Sequence, residues 1–244
     1  MSRVDVLGIG FDRVDLERAV GVVLERLRRG ERTTVITANP EFVMLARRDD
    51  DLRSIAAHAD LVVPDGTGVL VASRVLGDPL PGRAPGRFLV DALVAHASSL
   101  GVSFFLLGAA PGVAERAAAR LRERHPELRI AGTYHGSSAV AADDDTVARV
   151  RAASPQVLLV AYGMPAQERW IARNLDRLPS VRVAIGVGGV LDQLAGVAPV
   201  APRAVHAAGL EWLWRLAFEP RRWRRQRVLP LFALLVLAAR FGRA

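Results

Sequence analysis

The sequence predicts an α/β fold: a mostly parallel sheet with helices on both faces, followed by a helical C-terminal appendage. Three observations predict it. Short apolar runs rich in Val, Ile and Leu alternate with longer stretches of helical periodicity. The runs are apolar almost throughout, which suits parallel strands covered on both sides. Gly, Asn and Asp gather just after these runs, where open α/β sheets bind ligands.

The elements follow in order. Residues 4–9 read as a first strand. Residues 15–29 read as a helix, with Leu16, Val20, Val23, Leu24 and Leu27 on one face. Residues 33–37 form a strand, after which Asn39 can cap a helix whose first position is Pro40. Residues 59–63 form a strand that ends at Pro64-Asp65-Gly66, and 66–76 a helix. The stretch 77–86, GDPLPGRAPG, is a loop full of helix breakers. Residues 87–100 are helical and 103–107 a strand closed by Gly108. A long helix spans 111–125, a strand 129–133 and a helix 143–152. Strands at 156–161 and 181–187, with helices behind them, complete the series. The pattern breaks at 198–202, so a body over 1–200 and an appendage over 201–244 are expected. Within the appendage Leu210, Leu213, Trp214 and Ala217 recur at helical spacing.

Charge divides along the same boundary. The chain has 244 residues and a net charge of +8, and every one of its 33 basic residues is Arg. Residues 210–244 carry eight Arg against Glu211 and Glu219, a net of +6. A nearly balanced body therefore bears a cationic tail. Cysteine is absent, which excludes disulfides and thiolate chemistry. The His residues lack zinc-site spacing. The N-terminus lacks an apolar signal segment, so a cytoplasmic location is expected. The run 228–239, VLPLFALLVLAA, is too short to span a bilayer. Two readings stand for it: a buried helix, or a helix lying at a membrane surface behind Arg221, Arg222, Arg224, Arg225 and Arg227.

Several residues could carry chemistry. Asp65 stands at a strand end before a Gly; it is either a carboxylate at the sheet's ligand edge or a helix cap. Thr37 and Asn39 end the neighbouring strand, where Asn39 could also simply cap. Gly163-Met-Pro-Ala-Gln167-Glu168 sets polar side chains at a helix start, which favours anions. Gly186-Val-Gly188-Gly189 allows close backbone approach to a ligand but lacks the dinucleotide fingerprint, because Leu191 replaces its last Gly. Without Lys there is no phosphate-binding loop of the GxxxxGK type. Asp49–Asp51 and 143–145 read as solvated helix termini rather than metal sites. Arg222 and Arg225 share a helical face, a geometry suited to phosphate or to solubilising the tail.

The segments TANPEF (37–42), DLVVPDGTG (60–68), FFLLGAAPGVAE (104–115), GTYHG (132–136), YGMPAQERW (162–170), GVGGVLDQLAG (186–196) and GLEWLWRLAFEPRRWRR (209–225) resemble the WecG/TagA/CpsF family, glycosyltransferase family 26. The resemblance runs from about residue 4 to 227. It implies a Rossmann-like body and a membrane-docking appendage that helps complete the active site. It also implies an inverting hexosyltransferase of bacterial cell-surface polymer synthesis, such as teichoic acid or exopolysaccharide. Such enzymes move N-acetylmannosamine, or its uronate, from a UDP-sugar to GlcNAc-diphospho-undecaprenol, with no metal or other cofactor.

By the resemblance, Asp65 would be the general base, and Thr37 and Asn39 would position sugar or acceptor. Arg83 and Gln167 would contact donor or acceptor near the reacting centre. Gly136, Gly163, Gly189 and Asp192 would line the substrate, and Arg215, Arg222 and Arg225 would meet diphosphate. The motifs leave one carboxylate without an evident partner, which suits inversion, and Arg as the available side-chain cation. The implied partners are the UDP-sugar, the lipid-linked acceptor and an anionic membrane surface on its cytoplasmic side. Nucleic acid is not among them, and homo-oligomerisation stays open. A competing reading is a non-catalytic nucleotide-binding α/β protein whose Arg-rich tail binds nucleic acid or membrane, since Trp212, Trp214 and Trp223 could stack on bases.

Overall fold

The chain opens as a hairpin, where the sequence suggested a single strand over 4–9. In the computed structural model, which describes residues 2–97 and 100–242, β1 (Arg3–Val6) pairs antiparallel with β2 (Ile9–Asp12). Leu7 and Gly8 both take positive φ, 54° and 92°, as a two-residue hairpin turn requires. The apolar run masked this turn because Val4 and Val6, and Ile9 and Phe11, are all buried on the same cluster. Asp12 then ties the hairpin to the main sheet. Its carboxylate accepts the Val62 N–H at 2.8 Å and pairs with Arg3 at 3.3 Å.

Beyond the hairpin the chain alternates as the periodicity predicts. Helix α1 (Leu16–Arg28), capped by Asp15, leads to β3 (Thr33–Ala38). Two helices follow where the sequence indicated the start of one: α2 (Pro40–Ala46) and α3 (Asp50–His58), the second capped by Asp49. Then come β4 (Leu61–Pro64), α4 (Thr67–Val75) and α5 (Gly86–Ala97). Residues 98 and 99, included in the helix predicted over 87–100, lie outside the described residues, as does Arg243 of the tail. The body continues through β5 (Ser103–Gly108), α6 (Val113–Arg124), β6 (Arg129–Tyr134), α7 (Asp143–Ala153), β7 (Val157–Ala161), α8 (Ala166–Asn174), β8 (Val183–Gly186) and α9 (Val190–Leu194). Last come α10 (Arg203–Ala207), α11 (Glu211–Phe218), α12 (Trp223–Gln226) and α13 (Leu229–Phe241).

Six strands pair in parallel in the order β4-β3-β8-β7-β5-β6. Alternate residues face opposite layers, as the pleat dictates. Val35, Leu61, Leu106 and Ile185 pack with α1, α5, α6 and α9. Ile36 and Val62 pack under α2, α3 and α4, while Leu158 and Ala184 pack under α7 and α8. One consequence positions the site. From the adjacent strands β3 and β8 the chain leaves towards opposite faces, into α2 and α9 respectively. A crevice opens between their carboxyl ends, at the point where such sheets bind ligands.

The apolar run 228–239 is buried on one face and exposed on the other. In α13, Phe232 and Val236 are buried in the cluster that holds Phe42 of α2 and Val69 of α4. On the outward face Leu234 is 63% exposed and Phe241 76%. Phe232→Ala should therefore destabilise the protein by about 3–5 kcal/mol, the usual loss for a buried Phe. Urea unfolding followed by circular dichroism checks this, and an unchanged midpoint would mean that α13 is not seated on the body.

Candidate active site

Asp65 is not the helix cap that its position would have allowed. Gly66, with φ of 107°, takes the cap position of α4 and turns the chain away. The Asp65 N–H donates to the Ala38 carbonyl at 2.8 Å, continuing the β3–β4 ladder by one residue. This rung fixes the backbone of Asp65 beside the end of β3. The breaker loop then returns to the same point, because the Ala84 N–H donates to the Pro64 carbonyl at 2.9 Å. Gly86, which begins α5, faces Asp65 with its N–H. A side chain at Gly86 would stand 3.3 Å from Thr37, tight enough that Thr37 would have to shift to admit it.

The Asp65 carboxyl is pushed up to about 6. Burial is the main cause, and the Glu211 carboxylate adds to it. Arg215, the Gly86 N–H and Arg83 pull the other way. The result is a carboxylate that is ionised at neutral pH yet a stronger base than an ordinary Asp.

Thr37 joins this rim, its hydroxyl donating to the Gly186 carbonyl at 3.2 Å. Asn39 spends its oxygen on capping α2, accepting from the Phe42 N–H at 2.9 Å. Arg83 reaches three partners: Thr67 Oγ1 at 3.2 Å, Glu211 Oε1 at 3.1 Å and the His206 carbonyl at 2.8 Å. Gln167 lies buried beneath the turn after β8. Its Oε1 accepts the Gly188 N–H at 2.9 Å, and its Nε2 donates to Glu168 at 2.8 Å. Gly163 anchors the start of α8, its carbonyl accepting the Gln167 N–H at 2.9 Å. A side chain at Gly186 would collide with Gln167, 2.6 Å away. Burial pushes the Glu168 carboxyl up, so this pair forms a closed brace under the glycine turn.

Above that turn the arginines converge. An added Cβ on Gly189 would stand 2.9 Å from Arg215, and 3.8 Å from both Arg222 and Asp192. Burial, then Arg222, lowers the proton affinity of the Arg215 guanidinium, while Glu219 and Asp65 support its charge. Burial, and secondarily Glu219, raises Asp192. Arg222 also donates to Glu219 at 2.5 Å. Arg225 turns elsewhere, pairing with Glu41 of α2 at 2.9 Å.

Gly136 stands apart from this group. It follows β6, the edge strand opposite β4. Neighbouring strands are about 4.8 Å apart, so five steps separate the two edges by roughly 24 Å. There Gly136 accommodates the Tyr162 hydroxyl, 2.4 Å from where its Cβ would lie. Asp49, Asp51 and Asp143–145 serve helix termini and arginine pairs, such as Asp143 with Arg173 at 2.6 Å. Among the described residues no group of three or more His, Cys, Asp or Glu is placed to hold a metal ion.

The description "Glycosyl transferase WecG/TagA/CpsF family" is that of the family model which matches residues 4–244. The chain belongs to this family. Two Staphylococcus aureus proteins, from strains NCTC 8325 / PS 47 and COL, are each 31% identical to it over 241 residues. The alignment covers 98% of this chain and 94% of each relative. Both are named N-acetylglucosaminyldiphosphoundecaprenol N-acetyl-beta-D-mannosaminyltransferase.

For a glycosyltransferase the arrangement is chemically coherent. A basic carboxylate sits at the end of β4, and guanidinium groups gather over a glycine turn after β8. The first suits proton removal from a hydroxyl and the second suits a phosphate-bearing leaving group. Sequence reasoning missed Glu211, His206, Glu168 and Gly86. Glu211 and Glu168 were visible inside the family segments, but one looked like charge balance in an Arg-rich tail and the other like a first-turn helix former.

Burial of Asp65 has a consequence for stability. Its proton affinity is higher in the folded chain than in the unfolded one. The stabilisation this gives is complete below about pH 3.8 and is lost as pH rises through about 6. Asp65→Asn removes the buried charge, so at about pH 7.5 the variant should melt above the parent protein. The two Tm values should converge below about pH 4 in a scanning-calorimetry series. Equal values at the higher pH would mean that ionised Asp65 carries no such burden.

Proposed function

We propose that this glycosyltransferase moves an N-acetylmannosaminyl group, or its uronate, from a UDP-sugar to GlcNAc-diphospho-undecaprenol, with inversion, in bacterial cell-surface polymer synthesis. One observation carries the reading: the raised carboxyl of Asp65 shares a rim with Arg215, which stands with Arg222 over Gly189. The printed names of the relatives supply the substrate class.

In this reading Asp65 takes the proton of the acceptor hydroxyl. That oxygen attacks the anomeric carbon from the face opposite UDP, forming the new glycosidic bond as the old one breaks. UDP departs with the bonding electron pair. Arg215, Arg222 and the turn around Gly188 and Gly189 meet the charge that develops on it. Glu211 is the second carboxylate nearby, but its Oε1 is occupied by Arg83 and by His206 Nδ1. That leaves Asp65 as the base and favours single displacement. Asp65→Asn should cut transfer by about 10²–10⁴-fold, the usual contribution of a general base. Donor binding should persist. UDP release from UDP-N-acetylmannosamine, with and without a short-chain GlcNAc-diphospho-lipid, is the assay. Full turnover in the variant would remove Asp65 as the base.

The reading divides the chain into a catalytic body over 1–200 and an appendage over 201–244 that meets the cytoplasmic face of the plasma membrane. No described helix is long and apolar enough to cross a bilayer. On α13, Leu231, Leu234, Leu237 and Phe241 face outward, and Arg224 and Arg227 stand exposed just before it. Apolar side chains flanked by cations suit an anionic bilayer surface better than nucleic acid. Leu234→Glu combined with Phe241→Glu should abolish co-sedimentation with anionic vesicles while leaving the circular dichroism unchanged. Undiminished sedimentation would place the membrane contact elsewhere.

A further inference from the structure

The corner between α10 and α11 is seated against the two elements that frame Asp65. One is the start of α4, two residues beyond Asp65. There Gly209, with φ of 71°, passes so close to Thr67 that an added Cβ would lie 2.4 Å from its hydroxyl. The other is the start of α5, where the His206 ring packs edge-on against Phe88 with centroids 4.8 Å apart. The Gly86 N–H that faces Asp65 belongs to that same first turn. Between the two lies Arg83. Its guanidinium ties Thr67 of the body to Glu211 and to the His206 carbonyl. His206 Nδ1 contacts the same Glu211 oxygen. Both members of the Arg83–Glu211 pair are only 22% exposed, so water screens it less than a surface pair.

We propose that Glu211 is a positioning residue that couples docking of the α10–α11 corner to the readiness of Asp65 as proton acceptor. It does so by engaging Arg83 on its own carboxylate and setting a second negative charge beside the base. The proposal rests on Asp65 being the base. Three charged groups bear on Asp65 in the docked arrangement. Arg83, from the loop before α5, and Arg215 of α11 favour its ionised form. Glu211 of α11 opposes ionisation. His206 of α10 lies against Glu211, its Nδ1 facing the same carboxylate oxygen that Arg83 engages. Take Glu211 away and two guanidinium groups face Asp65 without a counter-charge. They would hold it as a weak base in an ion pair. The same corner therefore brings Arg215 for the leaving group and the carboxylate that keeps Asp65 basic, so the two halves of the chemistry become competent together.

The test is the pH dependence of kcat, measured on the full chain with UDP-N-acetylmannosamine and a GlcNAc-diphospho-lipid. Glu211→Gln should move the acid limb down by about one pH unit, a tenfold fall in proton affinity at the base. The plateau rate should fall with it and the KM for donor should change little. Glu211→Asp, which retains the charge, should recover the limb. An acid limb that stays in place in Glu211→Gln while activity falls would make Glu211 merely structural and overturn the proposal. Arg83→Gln supplies an independent arm, read even if Glu211→Gln fails to fold. Removing that cation should move the limb up, and a limb that stays or falls overturns the proposal. Asp65→Asn distinguishes the failures: full turnover there defeats the reading of the base itself, whatever the Glu211 variants do.

Discussion

An ionisable group kept away from water must be held by its neighbours, and Asp65 is the place where this chain meets that constraint. Burial alone would leave the carboxyl protonated and useless as a base at neutral pH. Arg215, Arg83 and the Gly86 N–H restore its charge, while Glu211 keeps that restoration incomplete. These four groups are brought by two stretches of chain, both distant from Asp65's own strand end. The ladder bond to Ala38 fixes Asp65, the loop bond to Pro64 brings Arg83 and Gly86, and α11 brings Arg215 and Glu211. The parallel sheet supplies the fixed edge on which these segments meet, Gly66 supplies the positive φ that turns the chain, and glycine at 86 and 189 leaves out side chains that would crowd Thr37 and Arg215.

The absence of Lys gives this balance a particular character. A guanidinium keeps its charge when buried, whereas a buried ammonium readily gives up its proton. Its fork can also serve two partners at once, as Arg83 does with Thr67 and Glu211 through a single nitrogen. Arg215 is buried beside Arg222 and still bears its charge, because Glu219 and Asp65 lie within reach. A cluster of this kind needs carboxylates within it. Glu211 and Glu219, the two acidic residues of a strongly basic tail, are both paired with arginines, Glu211 with Arg83 and Glu219 with Arg222.

Most of the fold was legible because parallel strands covered on both faces leave a simple mark, a short unbroken apolar run ending in Gly or Asp. Asp65 was legible for the same reason. The hairpin was not, since a two-residue turn between buried apolar residues leaves Gly8 as its only signal. Glu211 was illegible in its role because it meets Arg83 across 128 residues, and no local pattern encodes that meeting. Gly136 shows the opposite hazard. Its motif suggested a ligand contact, while in the fold it makes room for Tyr162 at the far edge of the sheet. Asn39 caps α2, as its place before Pro40 predicts, while Gln167 carries a structural duty that its motif did not announce, bracing Gly188.

The tail's net charge of +6 divides among separate tasks once the residues are placed. Arg215 and Arg222 turn inward over Gly189, and Arg225 is spent on Glu41 of α2. Arg224, Arg227 and Arg240 remain exposed, on the same segment as the outward face of α13. The inward and outward sets hardly overlap, although they lie within a few residues of one another. Helical geometry makes this separation achievable: residues three or four apart share a face, and those between look away from it. A segment built in this way can meet a bilayer with one side and complete a polar site with the other. Phe232 and Val236 seat α13 on α2, the helix that also offers Glu41 to Arg225, so the outward face and the arginine side are joined through one packed core.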